Sequence, residues 1–203
     1  MAGLRERQKE DRRTRIIAAA QTLFERSGLD NITLEAIADI AGVSSVTIHN
    51  YYGSKSGVLL ALVAESDRQL IETFDRILVG RSKDIVDLSL RFARIICDHT
   101  LTHLDKAIWR QVIAASVSDS DPRFGKVYRD LDLRLVAVLV REIERLQAAG
   151  MVAATVSPQH LGRALFNLQN MRFIQFISSN DVSKSEIVGL LRSDLGALLA
   201  VSR

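Results

Sequence analysis

Apolar residues recur along most of this chain at intervals of three and four positions, the spacing that gathers them on one face of an α-helix. Short polar breaks separate these segments, among them Gly28, Gly80, Gly150 and a loop at residues 119–121. No segment gives a convincing strand. The pattern predicts an all-α protein of about nine helices, at residues 12–27, 34–41, 45–52, 55–78, 84–103, 105–117, 122–149, 158–178 and 183–200.

The first 15 residues carry charges without an apolar period, six Lys or Arg against three Asp or Glu. We expect them to form an irregular arm in front of the first helix. That helix has apolar residues at helical spacing from Arg12 to Ser27. We expect its apolar face to cover the back of the two short helices that follow, which completes a three-helix domain.

Two short helices are predicted on either side of Gly42. The first has a single apolar face, because its apolar residues fall at i, i+3, i+4 and i+7: Leu34, Ile37, Ala38 and Ala41. Gly42 tolerates the positive φ angle that a sharp turn requires. Two helices joined in this way predict a helix-turn-helix, whose second helix fits the major groove of DNA. A helical hairpin that binds no DNA is the alternative that this pattern leaves open.

The second helix of the pair supplies most of the candidate DNA contacts. Val43, Ile48 and Tyr52 can pack inward, which leaves small polar and amphipathic residues to face outward and hydrogen-bond base edges. Lys55 follows the expected helix cap Ser54, where a cation opposes the helix dipole but suits a DNA phosphate. The predicted DNA-binding residues are Thr33 (a cap or a phosphate contact), Ser45, Val46, Thr47, His49, Asn50, Tyr51 and Lys55.

This segment agrees in register with one protein family at Thr33, Ile37-Ala38, Ala41-Gly42-Val43-Ser44, Thr47-Ile48, Tyr51-Tyr52, Ser54-Lys55 and Leu59. Over about residues 12–60 the chain resembles the DNA-binding domain of TetR-family transcriptional regulators. His49 and Tyr52 depart from the family, which more often has Tyr and Phe there. The second half resembles the family in helix order and in an AAGMV turn followed by Ser157-Pro158.

The resemblance implies a helix-turn-helix DNA-binding domain at residues 1–55 and a helical ligand-binding and dimerisation domain at residues 56–203. It implies a sequence-specific DNA-binding transcriptional regulator, a repressor released from its operator by a small-molecule effector. One alternative is a ligand-independent or activating regulator. Another is an all-helical protein-interaction module without DNA binding.

Two further expectations come from the resemblance. The uninterrupted helix from Lys55 to about Leu78 is expected to transmit movement to the DNA-reading part. The N-terminal arms of this family add phosphate or minor-groove contacts, so Arg12, Arg13 and Arg15 are further candidates for DNA contacts. A solvated, charged chain end is the alternative for these arginines.

The last two predicted helices are apolar on more than one side. Between Leu161 and Ile177, ten of seventeen residues are apolar, and the helix at 183–200 is similar. A helix with several apolar faces must be covered on several sides. We therefore expect a homodimer through helices at about 158–178 and 183–200, and a roughly palindromic operator on double-stranded DNA. A well-buried helix pair within one chain is the alternative.

The ligand implied by the resemblance would enter a mostly apolar pocket that has a few polar groups. Residues of the middle helices that fit this description are Phe92, His99, His103, Trp109, Tyr128, Phe166 and Asn170. His99 and His103 have the i, i+4 spacing of metal ligands, but no third ligand is evident in the sequence. No metal and no cofactor are therefore predicted.

Composition narrows the class of protein. A net charge of +3 only weakly favours an acidic partner. The single cysteine, Cys97, fits a reducing cytoplasm. No apolar stretch approaches the ~18 residues of a membrane span, and the nine-residue apolar run near the N-terminus does not make a signal peptide. Enzyme motifs such as Gly-x-Ser-x-Gly and His-Glu-x-x-His are absent, so we predict a cytoplasmic protein that is not an enzyme.

Overall fold

The computed structural model describes residues 3–27, 32–117 and 122–201. In these residues it contains nine α-helices and no strand, which confirms the predicted all-α class. Gly28, predicted to end the first helix, and the predicted loop at 119–121 lie outside the described residues. The helices are α1 (Leu4–Ser27), α2 (Leu34–Ala41), α3 (Ser45–Tyr52), α4 (Lys55–Ile77), α5 (Ile85–His103), α6 (Lys106–Val117), α7 (Pro122–Ala148), α8 (Pro158–Ser178) and α9 (Lys184–Val201).

The start of α1 differs from the prediction. The helix begins at Leu4, whereas an irregular arm was expected up to about residue 12. Charged residues one turn apart hold this segment together: Arg15 pairs with Asp11 at 3.2 Å, and Arg13 pairs with Glu10 at 3.8 Å. Such pairs, together with the high helix propensity of Arg, Glu and Lys, form a solvated helix without any apolar period.

The described chain divides into two compact units, residues 1–66 with 107–128 and residues 67–106 with 129–203. In the first unit α1 packs on α2 and α2 on α3. The side chains of this core are almost completely shielded from water, and they are Ile16, Ala20, Phe24, Ile37, Ile48, Val58, Leu59, Ile108 and Val112. Burial of this apolar surface is the main force that holds the short helices in place.

The second unit is built around α5. Ten of the 19 residues of α5 are buried, and the helix packs against both α8 and α9. Phe92 stacks on Phe74 of α4 with ring centroids 4.6 Å apart. A helix with buried residues on several faces must be central, because every apolar face needs a neighbour. In the described part of the chain, no helix is long and apolar enough to cross a membrane.

Arginines of α7 join α4 within the second unit. Arg134 donates two hydrogen-bond contacts to Asp67, which is only 4% exposed, and Arg141 pairs with the exposed Asp75 at 2.6 Å. The order of the pairs is the same along both helices. A buried carboxylate is costly to place beside the wrong neighbour, so the Arg134–Asp67 pair helps to fix how α4 and α7 align, whereas the exposed Arg141–Asp75 pair adds little.

Further along α7, two side chains hold the turn that follows α4. The buried carboxylate of Glu142 accepts a hydrogen bond from the backbone N–H of Gly80 at 2.9 Å. Arg145 pairs with Glu142 and donates to the carbonyl of Ser82 at 2.6 Å. Gly80 has a φ angle of +75°, which strongly favours glycine at this turn.

Lys106 anchors the link between α8 and α9. Its buried ammonium group donates to the carbonyls of Ser179 and Val182 at 2.9 and 2.6 Å and lies 4.0 Å from the ring centroid of Phe176. These carbonyls belong to the chain end of α8 and to the link itself, where backbone acceptors have no helical partner. The lysine therefore satisfies acceptors that the fold would otherwise leave open.

Gly57, in the first turn of α4, lies against the end of α3. A β-carbon at this position would overlap the carbonyl oxygen of Tyr52 and lie 2.9 Å from the carbonyl carbon. Backbone atoms cannot swing aside as a flexible side chain would. The close approach of α3 to α4 therefore requires a residue without a side chain.

We predict that Gly57→Ala lowers the free energy of unfolding, although alanine is favoured over glycine inside a helix by about 1 kcal/mol. The matched control is Gly189→Ala in α9, where a β-carbon would meet nothing within 4 Å and the change should be neutral or stabilising. Urea unfolding followed by circular dichroism measures both variants. Equal stability of the two variants would contradict the steric argument.

Candidate nucleic-acid interface

Both ends of α2 are capped by the residues that the sequence indicated. The hydroxyl of Thr33 accepts a hydrogen bond from the N–H of Ala36 at 3.1 Å, so Thr33 serves as the N-cap. Gly42 ends the helix in the left-handed conformation with a φ angle of +63°. The N–H of Val43 then donates to the carbonyl of Ala38 at 3.0 Å, which closes the turn.

The candidate recognition helix α3 begins at a second cap. Ser44 accepts a hydrogen bond from the N–H of Thr47 at 3.1 Å, and the two hydroxyl groups lie 2.9 Å apart. Gly53 ends the helix with a φ angle of +74°, and its N–H donates to His49. Caps at both ends matter because a helix of eight residues has too few internal hydrogen bonds to be stable alone.

Only one residue of α3, Ile48, is buried in the first unit. Val43 and Tyr52, which were also expected to pack inward, are half-buried. Val46 is 66% exposed, and His49 and Asn50 are exposed as well. Ser45, Thr47 and Tyr51 are half-buried. The first unit thus leaves Val46, His49 and Asn50 open to solvent, whereas it partly covers Ser45, Thr47 and Tyr51, which the sequence also predicted to face outward.

Basic residues of α1 lie beside this face. The guanidinium group of Arg13 lies 5.6 Å from the ring centroid of Tyr51, a cation–π distance. Arg15 instead donates to the carbonyl of Ala41 at 2.9 Å, where it stabilises the end of α2. Arg13 therefore remains a candidate for a DNA contact, whereas the structure gives Arg15 a role in holding α1 on α2.

The start of α4 closes the interface. The hydroxyl of Ser54 accepts a hydrogen bond from the N–H of Gly57 at 3.1 Å, which makes Ser54 the predicted N-cap. Lys55 is half-buried in the first turn. Tyr52 packs beside Tyr51 with ring centroids 6.0 Å apart, and burial raises the pKa of Tyr52, so its hydroxyl group is neutral near pH 7. The site consists of a neutral polar helix with cations at its margins.

Comparison with known proteins places this geometry in a family. The model of the TetR family of bacterial regulatory proteins matches residues 16–62, which are the second half of α1, all of α2 and α3, and the start of α4. The chain belongs to the TetR family. It is therefore a transcriptional regulator whose N-terminal helix-turn-helix binds DNA, as the sequence predicted.

Relatives of this TetR-family regulator extend over most of its length. The nicotine-responsive transcriptional repressor HdnoR of Paenarthrobacter nicotinovorans is 24% identical over 179 residues, 83% of this chain and 84% of its own. A TetR-family regulator of Pectobacterium atrosepticum has the same fold with a TM-score of 0.74 at 19% identity, over 98% of this chain and 96% of its own. A regulator of Saccharomonospora viridis in complex with choline gives 0.66 at 22% identity, over 89% and 93%.

The seven predicted ligand residues belong to both units. Trp109 and Tyr128 lie in the first unit, and the other five lie in the second. Phe92 is fully buried in its stack with Phe74. His99 and His103 stack with ring centroids 4.0 Å apart, and a ring nitrogen of His103 lies 3.2 Å from the carbonyl of His99.

The two remaining ligand candidates lie on α8. Phe166 is buried, whereas Asn170 is half-buried. A contact of any of the seven residues with an effector stays a prediction.

The described residues also bear on metal binding and on thiol chemistry. Within the described ranges, no three His, Cys, Asp or Glu residues gather so that they could hold a metal ion. Burial raises the pKa of the Cys97 thiol to about 12, so the thiol is protonated and a poor nucleophile near neutral pH. The half-buried His103 and the buried His99 form a stacked pair.

Sequence reasoning missed the charged residues buried in the second unit. Asp67, Lys106 and Glu142 are each at most 7% exposed. The sequence did contain one indication that Asp67 is buried. It lies on the same helix face as Val63, Leu70 and Phe74, at a position where an apolar residue would be expected.

We predict that Ser44→Ala lowers both stability and DNA affinity, because loss of an N-cap costs about 1 kcal/mol and α3 has little else to fix its start. Ser44→Asp separates the two effects. An aspartate also caps a helix, so stability should be retained, while its charge repels DNA phosphates and lowers affinity. Urea unfolding and gel shifts on genomic fragments measure the two quantities. Wild-type affinity in Ser44→Asp would exclude this end of α3 from the DNA interface.

Proposed function

We propose that this regulator is a repressor that a small-molecule effector releases from its operator. The observation that carries the DNA-binding site is the outward face of α3, which the first unit leaves uncovered and which has Arg13 and Lys55 at its margins. Thr47 and Tyr51 are assigned to phosphates, and Ser45 and Asn50 to base edges. Val46 and His49 are also assigned to the side of α3 that faces the groove. Thr33 caps α2 and is assigned a position near the DNA backbone.

The proposed domains follow from this assignment. Residues 1–55 form the DNA-binding part, and residues 56–203 form the part that binds effector and partner subunit. The continuous helix α4 begins directly after the helix-turn-helix and extends to Ile77, so the chain passes from one part to the other within a single helix. A regulator that acts on chromosomal DNA in bacteria works in the cytoplasm, in agreement with the single reduced cysteine.

The proposed assembly is a homodimer through α8 and α9. Large apolar side chains of these helices lie at the surface of the chain: on α8 Met171 is 55% exposed, and on α9 Leu198 is 59%, Leu199 44% and Leu190 40% exposed. Apolar residues at this density on two neighbouring helices favour a second copy as cover. A two-fold dimer presents two copies of α3, which fits a roughly palindromic operator with half-sites a helical turn or more apart.

The proposal that a small molecule acts as the effector is supported by the relatives. One relative is named for its response to nicotine, and a structurally similar regulator is in complex with choline. A ligand releases a repressor when it binds better to a conformation that cannot reach both half-sites. An activating or ligand-independent regulator is the alternative, and a reporter gene behind the operator distinguishes it, because only a repressor lowers expression in the absence of effector.

We predict that Lys55→Gln lowers affinity for all DNA sequences and reduces the slope of log affinity against log salt by about one, because one phosphate contact is lost. Fluorescence anisotropy on fragments selected from genomic DNA, measured at several salt concentrations, gives the slope. Lys184→Gln in α9 makes the same change of charge on a lysine that pairs with Asp98, and it should leave the slope unchanged. An unaltered slope in Lys55→Gln would remove this residue from the interface.

We predict that Met171→Glu converts the dimer to a monomer and weakens operator binding, because the new carboxylate would be buried without a partner in the proposed interface. Light scattering coupled to size-exclusion chromatography measures the mass. The control is Leu101→Glu, which introduces the same charge at a leucine of α5 that is 57% exposed. A Met171→Glu variant that remains dimeric would rule out α8 as the interface.

A further inference from the structure

Asp67 is a buried carboxylate that is only half satisfied. It is 4% exposed. Both contacting nitrogens of Arg134, Nε at 2.7 Å and Nη2 at 2.6 Å, bind the same oxygen, Oδ2. The other oxygen, Oδ1, is shielded from solvent and has no hydrogen-bond partner among the described residues. Buried carboxylate oxygens without a donor are rare, because the lost hydration is not replaced.

A second pair in the same unit shows what complete pairing looks like. Arg172 donates from Nε to Oδ2 of Asp194 at 2.7 Å and from Nη2 to Oδ1 at 2.6 Å. Each oxygen then has its own donor, which is the usual fork arrangement of such pairs. Arg172 and Asp194 are more exposed than Asp67. The less hydrated carboxylate therefore has the poorer pairing, which points to a donor that comes from outside the chain.

The surroundings of Asp67 define what kind of donor fits. Leu70 and Phe74 follow it at i+3 and i+7 on the buried face of α4, and Phe74 stacks on Phe92. Burial raises the pKa of Asp67, and the hydrogen bond and the charge of Arg134 only partly oppose this shift. A positively charged donor is favoured over a neutral one at such an oxygen, and an apolar body suits the neighbours.

We infer that Oδ1 of Asp67 is the anchor for a protonated organic amine, whose N–H donates to this oxygen and which acts as the effector. The inference rests on the proposed function, because it names the chemical class of the effector that the repressor would recognise. Arg134 fixes the carboxylate from one side and leaves the other oxygen for the ligand. Asp67 therefore both joins α4 to α7 and recognises the amine.

The test uses the full-length protein and two pairs of probes at pH 8, hexylamine with 1-hexanol and 2-phenylethylamine with 2-phenylethanol. Isothermal titration calorimetry measures binding. At least one amine should bind wild type more tightly than its alcohol. Asp67→Asn should weaken amine binding roughly tenfold or more and leave alcohol binding unchanged. If no amine binds, or each alcohol binds as tightly as its amine, the inference is overturned.

Two control variants separate recognition from structure. Asp75→Asn removes the other Asp–Arg pair between α4 and α7, at an exposed site, and should bind the amine as wild type does. Asp132→Asn changes a half-buried carboxyl whose pKa burial raises to about 6, and it should also have no effect. Loss of amine binding in Asp132→Asn with retention in Asp67→Asn would overturn the inference.

Arg134→Gln distinguishes most sharply between recognition of the amine by Asp67 and a purely structural Asp67–Arg134 pair. It also provides the test if Asp67→Asn does not fold. Without the guanidinium group of Arg134, the carboxylate of Asp67 depends more on the ligand for a partner of opposite charge. The affinity for the amine should therefore rise. A purely structural pair predicts a loss of affinity in both Asp67→Asn and Arg134→Gln, and that result would overturn the inference. Gel shifts on the same preparations report DNA binding independently, so a failure of the repressor proposal is seen without reference to the amine.

Discussion

The position of α3 depends on one buried side chain. Ile48 is fully shielded from water, while the rest of the helix is half-buried or exposed. A helix of this length is unstable by itself, and a single apolar contact cannot fix both its tilt and its rotation. The remaining constraints come from its ends, where Ser44 and Gly53 satisfy backbone groups, and from α2, whose own ends are capped. The first unit thus holds a reading helix firmly while it leaves most of its surface open.

In the second unit the decisive constraints are polar. Lys106 and Glu142 are buried charges that bind backbone groups at turns, and each would be strongly destabilising without its partners. Apolar contacts alone allow neighbouring helices to slide with little loss of energy, because one leucine replaces another. Charges that fit only one set of carbonyl and N–H groups remove that freedom. The unit gains a defined alignment of α4, α7 and α8 from a few groups.

The sequence was sufficient for helices whose apolar residues keep a helical period from one end to the other. The bounds of α5 and α8 differ from the prediction by one residue or less, since their apolar periods end at clear caps such as Asp84 and Ser157. The predicted start of α1 was wrong, because a helix held by charge pairs has no apolar period. The buried charges were missed for a different reason: the partners of Lys106 lie 73 and 76 residues away in the chain. Nothing local indicates which carbonyls will face it, and the DNA contacts likewise depend on a molecule outside the chain.

The small size of α3 is also an argument for the proposed dimer through the exposed apolar side chains of α8 and α9. An eight-residue helix with a few polar side chains reaches only a handful of base edges, and each good base contact adds only ~1–3 kcal/mol of discrimination. One copy would therefore bind little better to its operator than to bulk DNA. A second copy held at a fixed distance adds its own discrimination without a new entropic cost for each contact. Leucines and a methionine turned outward are a liability for a monomer, whereas in the proposed dimer they are the contacts that join the two copies of the recognition helix into one assembly.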